Sequence, residues 1–408
     1  MSNYQQLQRK TLKTLTVAQI GAGVGTAGTV AAGSLLVASI TGSEELAGLA
    51  QTFSVLGAAA LAIPLARLTS SGGRRRALSI GYAAGVVGSI FAILGGVNSN
   101  IYLMLTGSFL VGSASASAYQ ARFAAIDLVE EAHRAKQLSY VVWGSTVGAV
   151  TGPNLMSPAG DLAEKLNLPR LTGPYLISAF TLTFAALLIY LFLKPDPYLT
   201  ALGDGKSYSG GKKHVKEALS HIWHKPIALF AILSIAIGHV AMVSVMVMTP
   251  VHMAHVDVSL RIIGLVISVH VIGMYAFSPI VGSFSDRVGK VKTIQIGLGI
   301  LLLSCFVSGT AAADDVSRLG MGLFLLGLGW SFTLIAGSAL LSSSVDPTLK
   351  TSSQGASDLV MNLAGAGGGA IAGVVISSLN YGWLCAFASI PVIALALWSA
   401  SFRSFESP

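Results

Sequence analysis

Charge is scarce in this chain. Of its 408 residues only 10% are Asp, Glu, Lys or Arg, against about 25% in an ordinary soluble domain. Cysteine is nearly absent. Cys305 and Cys385 both fall in apolar stretches and no C-x-x-C pair occurs. Packing is therefore their expected role, with a redox or ligand role as the alternative. Alternation of polar and apolar residues at every second position is missing, which excludes a membrane β-barrel. Carboxylates are almost missing from the interiors of the apolar runs. Asp358, about two turns into one of them, is the exception and the one acidic candidate for proton coupling.

What the chain has is apolar length. Hydrophobic residues make up 53% of it, glycine numbers 46, and the mean hydropathy is +0.72. A bilayer core needs about 20 apolar residues per helix. Twelve stretches meet that need, at 14–40, 45–68, 76–96, 100–121, 136–158, 172–194, 226–253, 258–285, 290–311, 317–343, 351–378 and 381–402. The expected fold class is an all-α membrane protein. The first span is too long for a cleaved signal sequence, and no separate targeting segment is read.

Lys and Arg orient the chain. With the N-terminus inside, the inner side holds Arg9, Lys10, Lys13, the run from Arg67 to Arg76, the loop around Arg134, Lys194 to Lys225, Arg287 to Lys292, Lys350 and Arg403. The outer side holds Lys165, Arg170, Arg261 and Arg318. This asymmetry is that of a cytoplasmic-membrane protein with both termini inside. It also accounts for the net charge of +8 without a nucleic-acid partner. The expected domains are an N-terminal six-helix half at 1–195, a cytoplasmic linker at 196–225 with a short amphipathic helix near Val215 to Trp223, and a C-terminal six-helix half at 226–408.

The halves read as a parallel repeat. RRRALSIG after span 2 answers to GKVKTIQIG after span 8, and Asp127 closing span 4 answers to Asp346 closing span 10. At GSFSDRVGKVK, the residues Gly282, Asp286, Arg287, Gly289 and Lys290 fit G-x-x-x-D-[RK]-x-G-[RK]. On this topology the motif resembles the loop signature of major facilitator transporters, whose fold is two pseudo-symmetric six-helix halves. The resemblance implies a gating role, with Asp286 organising a charge network at the cytoplasmic face. The first-half copy departs from the pattern: Ser70 stands where the acid belongs and Ala66 where the first glycine belongs. In span 5, Gly144, Gly148 and Gly152 at four-residue spacing, followed by Pro153, give a flat face for helix packing. The arrangement also resembles the glycine-proline motif of drug–proton antiporters. Arg122, at the cytoplasmic end of span 4, is expected to pair with Asp127 or Glu131.

Spans 7 and 8 carry soft donors. Met242 and Met246 are four residues apart on one helix, and His270 and Met274 four apart on the next. Residues at i and i+4 share a helix face, so each helix offers two donors on one stripe. Counted from the outer turn at 1.5 Å per residue, Met242 and His270 lie ~15–20 Å deep, near the midplane. Thioether and imidazole suit copper, although methionine is also ordinary core filler. His239 is a further intramembrane titratable group and a possible secondary ligand. Met248, His252, Met253 and His255 lie at the outer mouth as possible secondary ligands. The set Met242, Met246, His270 and Met274 resembles the CcoA-like copper importers, a branch of the same superfamily. That resemblance implies copper as transported substrate, no resident cofactor, no enzymatic step and a monomer in the bilayer.

Two other readings stay open. One is a carrier of a small organic solute, flavin-like or drug-like, using Tyr119, Gln120, Trp143, Asn154 and Tyr275 with the methionines as apolar lining. The other is a non-transporting sensor or scaffold, for which the chain has no appended soluble domain.

Overall fold

In the computed structural model the chain is helical throughout its regular structure, and residues 3–43, 46, 48–203, 212–254, 256 and 260–405 are described. In chain order the helices are α1 (Asn3–Thr41), α2 (Leu49–Val97), α3 (Ile101–Ala124), α4 (Arg134–Asn154), α5 (Met156–Lys165), α6 (Gly173–Phe192), α7 (Pro197–Leu202), α8 (Lys212–His224), α9 (Pro226–Ala254), α10 (Leu260–Tyr275), α11 (Ser278–Val288), α12 (Lys290–Gly309), α13 (Val316–Ser344), α14 (Lys350–Ser378) and α15 (Tyr381–Ser399). Ten described stretches are long and apolar enough to cross a membrane. Two physical facts reconcile that number with twelve sequence spans. α2 runs through spans 2 and 3 with a sharp turn at Gly73 (φ 82°, ψ 170°), a backbone that glycine adopts freely. α4, rich in Gly, Ser and Thr, supplies span 5 although it falls outside the ten.

The helices gather into two compact units that exchange short segments. The first comprises Met1–Val129, Tyr140–Glu217 and Thr348–Leu359; the second comprises Glu130–Ser139, Ala218–Pro347 and Val360–Pro408. α4 and α14 each begin in the unit opposite to the one in which they end.

In the first unit small residues let helices touch. A Cβ placed on Gly88 would lie 2.6 Å from the backbone N of Val111, and one on Gly107 would lie 2.5 Å from that of Ala92. This is how α2 and α3 approach with no side chain between them, the usual means of helix association in lipid. The span 5 glycines act likewise: a Cβ on Gly144 would lie 3.0 Å from the Thr16 carbonyl of α1, and Gly148 abuts the Gly23 backbone. Packing is thus their observed role.

In the second unit α13 is the central helix. It packs against α9, α10 and α12 and buries Leu323, Leu326, Trp330 and Leu334. Span 8, read from sequence as one helix, is interrupted. α10 stops at Tyr275 and α11 starts at Ser278, with Pro279 in its first turn. Proline cannot donate to the preceding turn and disfavours helix in the residue before it. Between α6 and α9 lie α7 and α8, and α8 covers the Val215 to Trp223 stretch where a short helix is expected.

Candidate functional site

At the helix interruption in the second unit three aromatic groups converge. The Trp330 indole N–H donates to Nδ1 of His239 at 3.1 Å. The Tyr275 ring meets the Trp330 ring edge-on, with centroids 5.7 Å apart. His239 comes from the middle of α9, Trp330 from the middle of α13 and Tyr275 from the last position of α10. α14 closes on the imidazole through Gly365, where a Cβ would stand 2.5 Å from Cδ2 of His239. His239 and Trp330 are buried, and Tyr275 is partly exposed. Because Nδ1 accepts from the indole, the neutral ring carries its proton on Nε2. Nearby, the Ser278 hydroxyl reaches the Met274 carbonyl at 3.4 Å and the Ser331 hydroxyl at 3.3 Å. A broken membrane helix beside aromatic and imidazole groups is a recurrent form of solute site in transporters.

The four copper candidates divide between packing surfaces. His270 is fully buried, and its Nδ1 donates to the Leu323 carbonyl of α13 at 2.8 Å. Its Nε2 has no protein partner among the described residues. Met274, one turn on, packs on α13 at Gly327, where a Cβ would stand 3.0 Å from its Cγ. Met242 is buried in α9 and Met246 is half-buried. At the mouth, the His252 ring stacks on Tyr381 with centroids 4.4 Å apart and an interplanar angle of 9°. Met253 is fully buried and Met248 half-buried, while His255 lies outside the described residues. Among the described residues no group of three or more His, Cys, Asp or Glu side chains could hold a metal ion.

The first unit holds a buried polar cluster that sequence reading recovered only in part. Arg74 donates to Asp127 through Nε at 2.8 Å, to Gln120 at 3.1 Å and to Gln354 at 2.7 Å. Arg122 donates to Asp358 at 2.6 Å, and Gln120 donates to the same carboxylate at 2.9 Å. Lys350 lies 3.7 Å from Asp127. The expected pairing of Arg122 with Asp127 or Glu131 is therefore corrected: Asp127 is taken by Arg74, and Arg122 goes to Asp358. On α14 the three partners Lys350, Gln354 and Asp358 are four residues apart, so one helix face supplies them all. Bridged by Gln120, the two ion pairs form a connected network, the form in which buried charge is tolerated. Of the solute-reading residues, Gln120 is thus engaged, Trp143 is exposed, and the Asn154 amide bonds its own helix at the Val150 carbonyl.

The loop motif has a legible geometry inside the second unit. The Asp286 carboxylate accepts from the backbone N–H groups of Ala135 (3.0 Å) and Lys136 (2.8 Å), satisfying two orphan donors at the start of α4. Gly282 admits the same turn: a Cβ there would lie 2.5 Å from Oγ of Ser139. Gly289 turns the chain into α12 at φ 105°. Lys290 pairs with Glu131 at 2.9 Å, and Arg287 is exposed. Asp286, Lys290 and Glu131 also line a cavity of about 310 Å³. The first half does this differently. Among the described residues Ser70 bonds its own helix, at Arg67. Asp196 instead fills the space at Gly73 and accepts from the Arg75 N–H at 2.7 Å. Ala66 faces Gly355 of α14, so the small residue has moved to the partner helix.

Comparison with known proteins agrees with this architecture. The Major Facilitator Superfamily sequence profile matches residues 15–368 and 241–405. The uncharacterized MFS-type transporter YddS of Bacillus subtilis is 34% identical over 401 residues, covering 96% of this chain and 91% of that protein. The riboflavin transporter RfnT of Brucella anthropi is 25% identical over 396 residues, covering 95% and 94%. Among solved structures, the E. coli fucose:proton symporter FucP aligns with a TM-score of 0.74 at 17% identity over 96% of this chain and 98% of its own. A bacterial homologue of the iron transporter ferroportin aligns at 0.72 with 11% identity, over 97% and 99%. These two similarities concern the fold. The polytopic helical architecture and the match along nearly the whole length agree: this chain belongs to the Major Facilitator Superfamily and is a membrane transporter, not an enzyme.

Proposed function

We propose that the chain carries a small organic solute with a planar ring system, flavin-like in kind, across the cytoplasmic membrane by alternating access. Both termini lie inside and the monomer is the working unit. The observation that carries this reading is the interruption of span 8 beside Tyr275, Trp330 and His239. Ring faces offer stacking, and the helix ends offer backbone groups that continuous helices keep to themselves. The 25% identity to a riboflavin transporter over nearly the full length supports the same class. Asp358 is the proposed coupling group: proton uptake there would weaken its bond to Arg122. The loop at Gly282, Asp286, Arg287, Gly289 and Lys290 is the proposed cytoplasmic gate.

Copper remains a second reading on one observation. A metal-binding histidine characteristically donates its other ring N–H to a carbonyl or carboxylate, and His270 does so while its Nε2 has no protein partner among the described residues.

Uptake of radiolabelled riboflavin and of radiolabelled copper, in cells lacking their own carriers, separates the two. Riboflavin uptake abolished by Trp330→Ala and kept by Met242→Leu supports the solute reading. Copper uptake lost in both Met242→Leu and His270→Ala, with no flavin uptake, overturns it in favour of the metal.

A further inference from the structure

We propose that α8 is a membrane-surface helix that docks Leu219 and Trp223 into the leaflet on its own side, held there by anionic lipid headgroups. Under the orientation proposed above that leaflet is cytoplasmic.

The first observation is the connection. α8 ends at His224 and the membrane-crossing helix α9 begins at Pro226, leaving Lys225 alone between them. One residue spans at most about 3.6 Å. The C-terminal end of α8 is therefore fixed at the depth where α9 leaves the bilayer.

The second is a helix with two adjoining apolar stripes. Ala218 and Ile222, four residues apart, are buried at 0% and 4% exposure. Leu219 and Trp223, also four apart, are 47% and 72% exposed. Exposed apolar side chains on the crossing helices face lipid, but these two lie outside every crossing stretch. Indole side chains favour the headgroup layer, where the ring is shielded and the N–H stays wet.

The third is charge. Between 204 and 225 the sequence has Lys206, Lys212, Lys213, Lys216 and Lys225 against Asp204 and Glu217, with His214, His221 and His224 in addition. An amphipathic helix with a basic surplus is the form that binds an anionic leaflet. A second copy of the chain would meet like charge.

The test uses full-length protein with Cys305 and Cys385 replaced by serine, in nanodiscs of phosphatidylcholine with or without phosphatidylglycerol. An environment-sensitive fluorophore is placed at Leu219→Cys or Trp223→Cys, with Glu217→Cys as control on the opposite side of the helix. We expect a blue shift at 219 and 223 and at least twofold stronger quenching there by spin-labelled lipid than by aqueous iodide. Position 217 should show the reverse, and lipid quenching should fall when phosphatidylglycerol is omitted. Iodide quenching at 219 and 223 in both compositions overturns the proposal, because the face is then open to water. Shielding from both quenchers overturns it in favour of a protein cover. Equal lipid quenching in both compositions overturns the role of anionic headgroups.

Discussion

Trp330 gives its indole proton to Nδ1 of His239 across 3.1 Å, tying the middle of α13 to the middle of α9. Trp330→Phe keeps an aromatic ring and removes only the donor. A hydrogen bond of this kind contributes about 1 kcal/mol net, which corresponds to about fivefold in an equilibrium constant. The expected outcome is a fivefold weaker substrate affinity with transport retained, measured as Kd and KM in proteoliposomes. An unchanged KM would show that the imidazole's orientation does not matter to the substrate.

Gly365 sets how close α14 comes to that imidazole. Gly365→Ala puts a methyl 2.5 Å from Cδ2 and 2.8 Å from Nε2 of His239, so the ring or the helix must move. Overpacking of this sort costs about 1–3 kcal/mol. Gly367→Ala and Gly373→Ala, with open space around the added methyl, are the controls. Uptake should fall at least tenfold in the first and stay near wild type in the others.

The crossing helices were legible in the sequence because lipid imposes a length and a composition. The site was less so. Span 8 reads as one apolar run, and only Pro279 signals the interruption that frees Tyr275 and Ser278. Arg122 has Asp127 and Glu131 as nearby acids in sequence, yet its partner Asp358 lies 236 residues away. Periodicity reports which face of a helix is apolar and says nothing of which distant helix meets it. The four-residue spacing of Lys350, Gln354 and Asp358 was visible, but its meaning depended on Arg74 and Gln120 standing opposite. His270 shows the converse. The i+4 spacing places Met274 on its face, and that face meets α13 at Leu323 and Gly327.

Arg122 and Asp358 are buried together, so removing either charge strands the other. Breaking such a pair costs about 3–5 kcal/mol. Arg122→Gln and Asp358→Asn should each lower the melting temperature in detergent strongly. The double variant, which leaves no unpaired charge, should recover part of the loss. Additive losses in a double-mutant cycle would show that the two residues are not energetically coupled.

Asp286 caps α4 with two charge-assisted bonds to Ala135 and Lys136. Loss of a helix cap costs about 0.5–2 kcal/mol. Asp286→Ala should destabilise by about that much and Asp286→Asn by less, since an amide oxygen still accepts. Thermal unfolding in detergent measures both. If the alanine variant slows uptake far beyond its effect on stability, the carboxylate acts in the transport cycle as well as in the fold.

The pair of Lys290 with Glu131 predicts a pH dependence. Burial pushes the Glu131 carboxyl upward, but the hydrogen bond and charge of Lys290, with lesser help from Ser343 and Arg134, outweigh it. The carboxyl is therefore held below its ordinary value of 4.5. A folded-state pKa below the unfolded one means that the folded state binds the proton less readily. The stabilisation is fully present above the unfolded value and is lost as pH falls through the folded one. Glu131 is 60% exposed, so the effect is small, about 1 kcal/mol or less. Glu131→Gln should thus be slightly less stable than wild type at pH 7, with the difference closing below pH 4.5, and 1 M salt should shrink the gap at neutral pH by screening. A difference that persists undiminished in acid would mean that Glu131 acts through packing rather than through its charge.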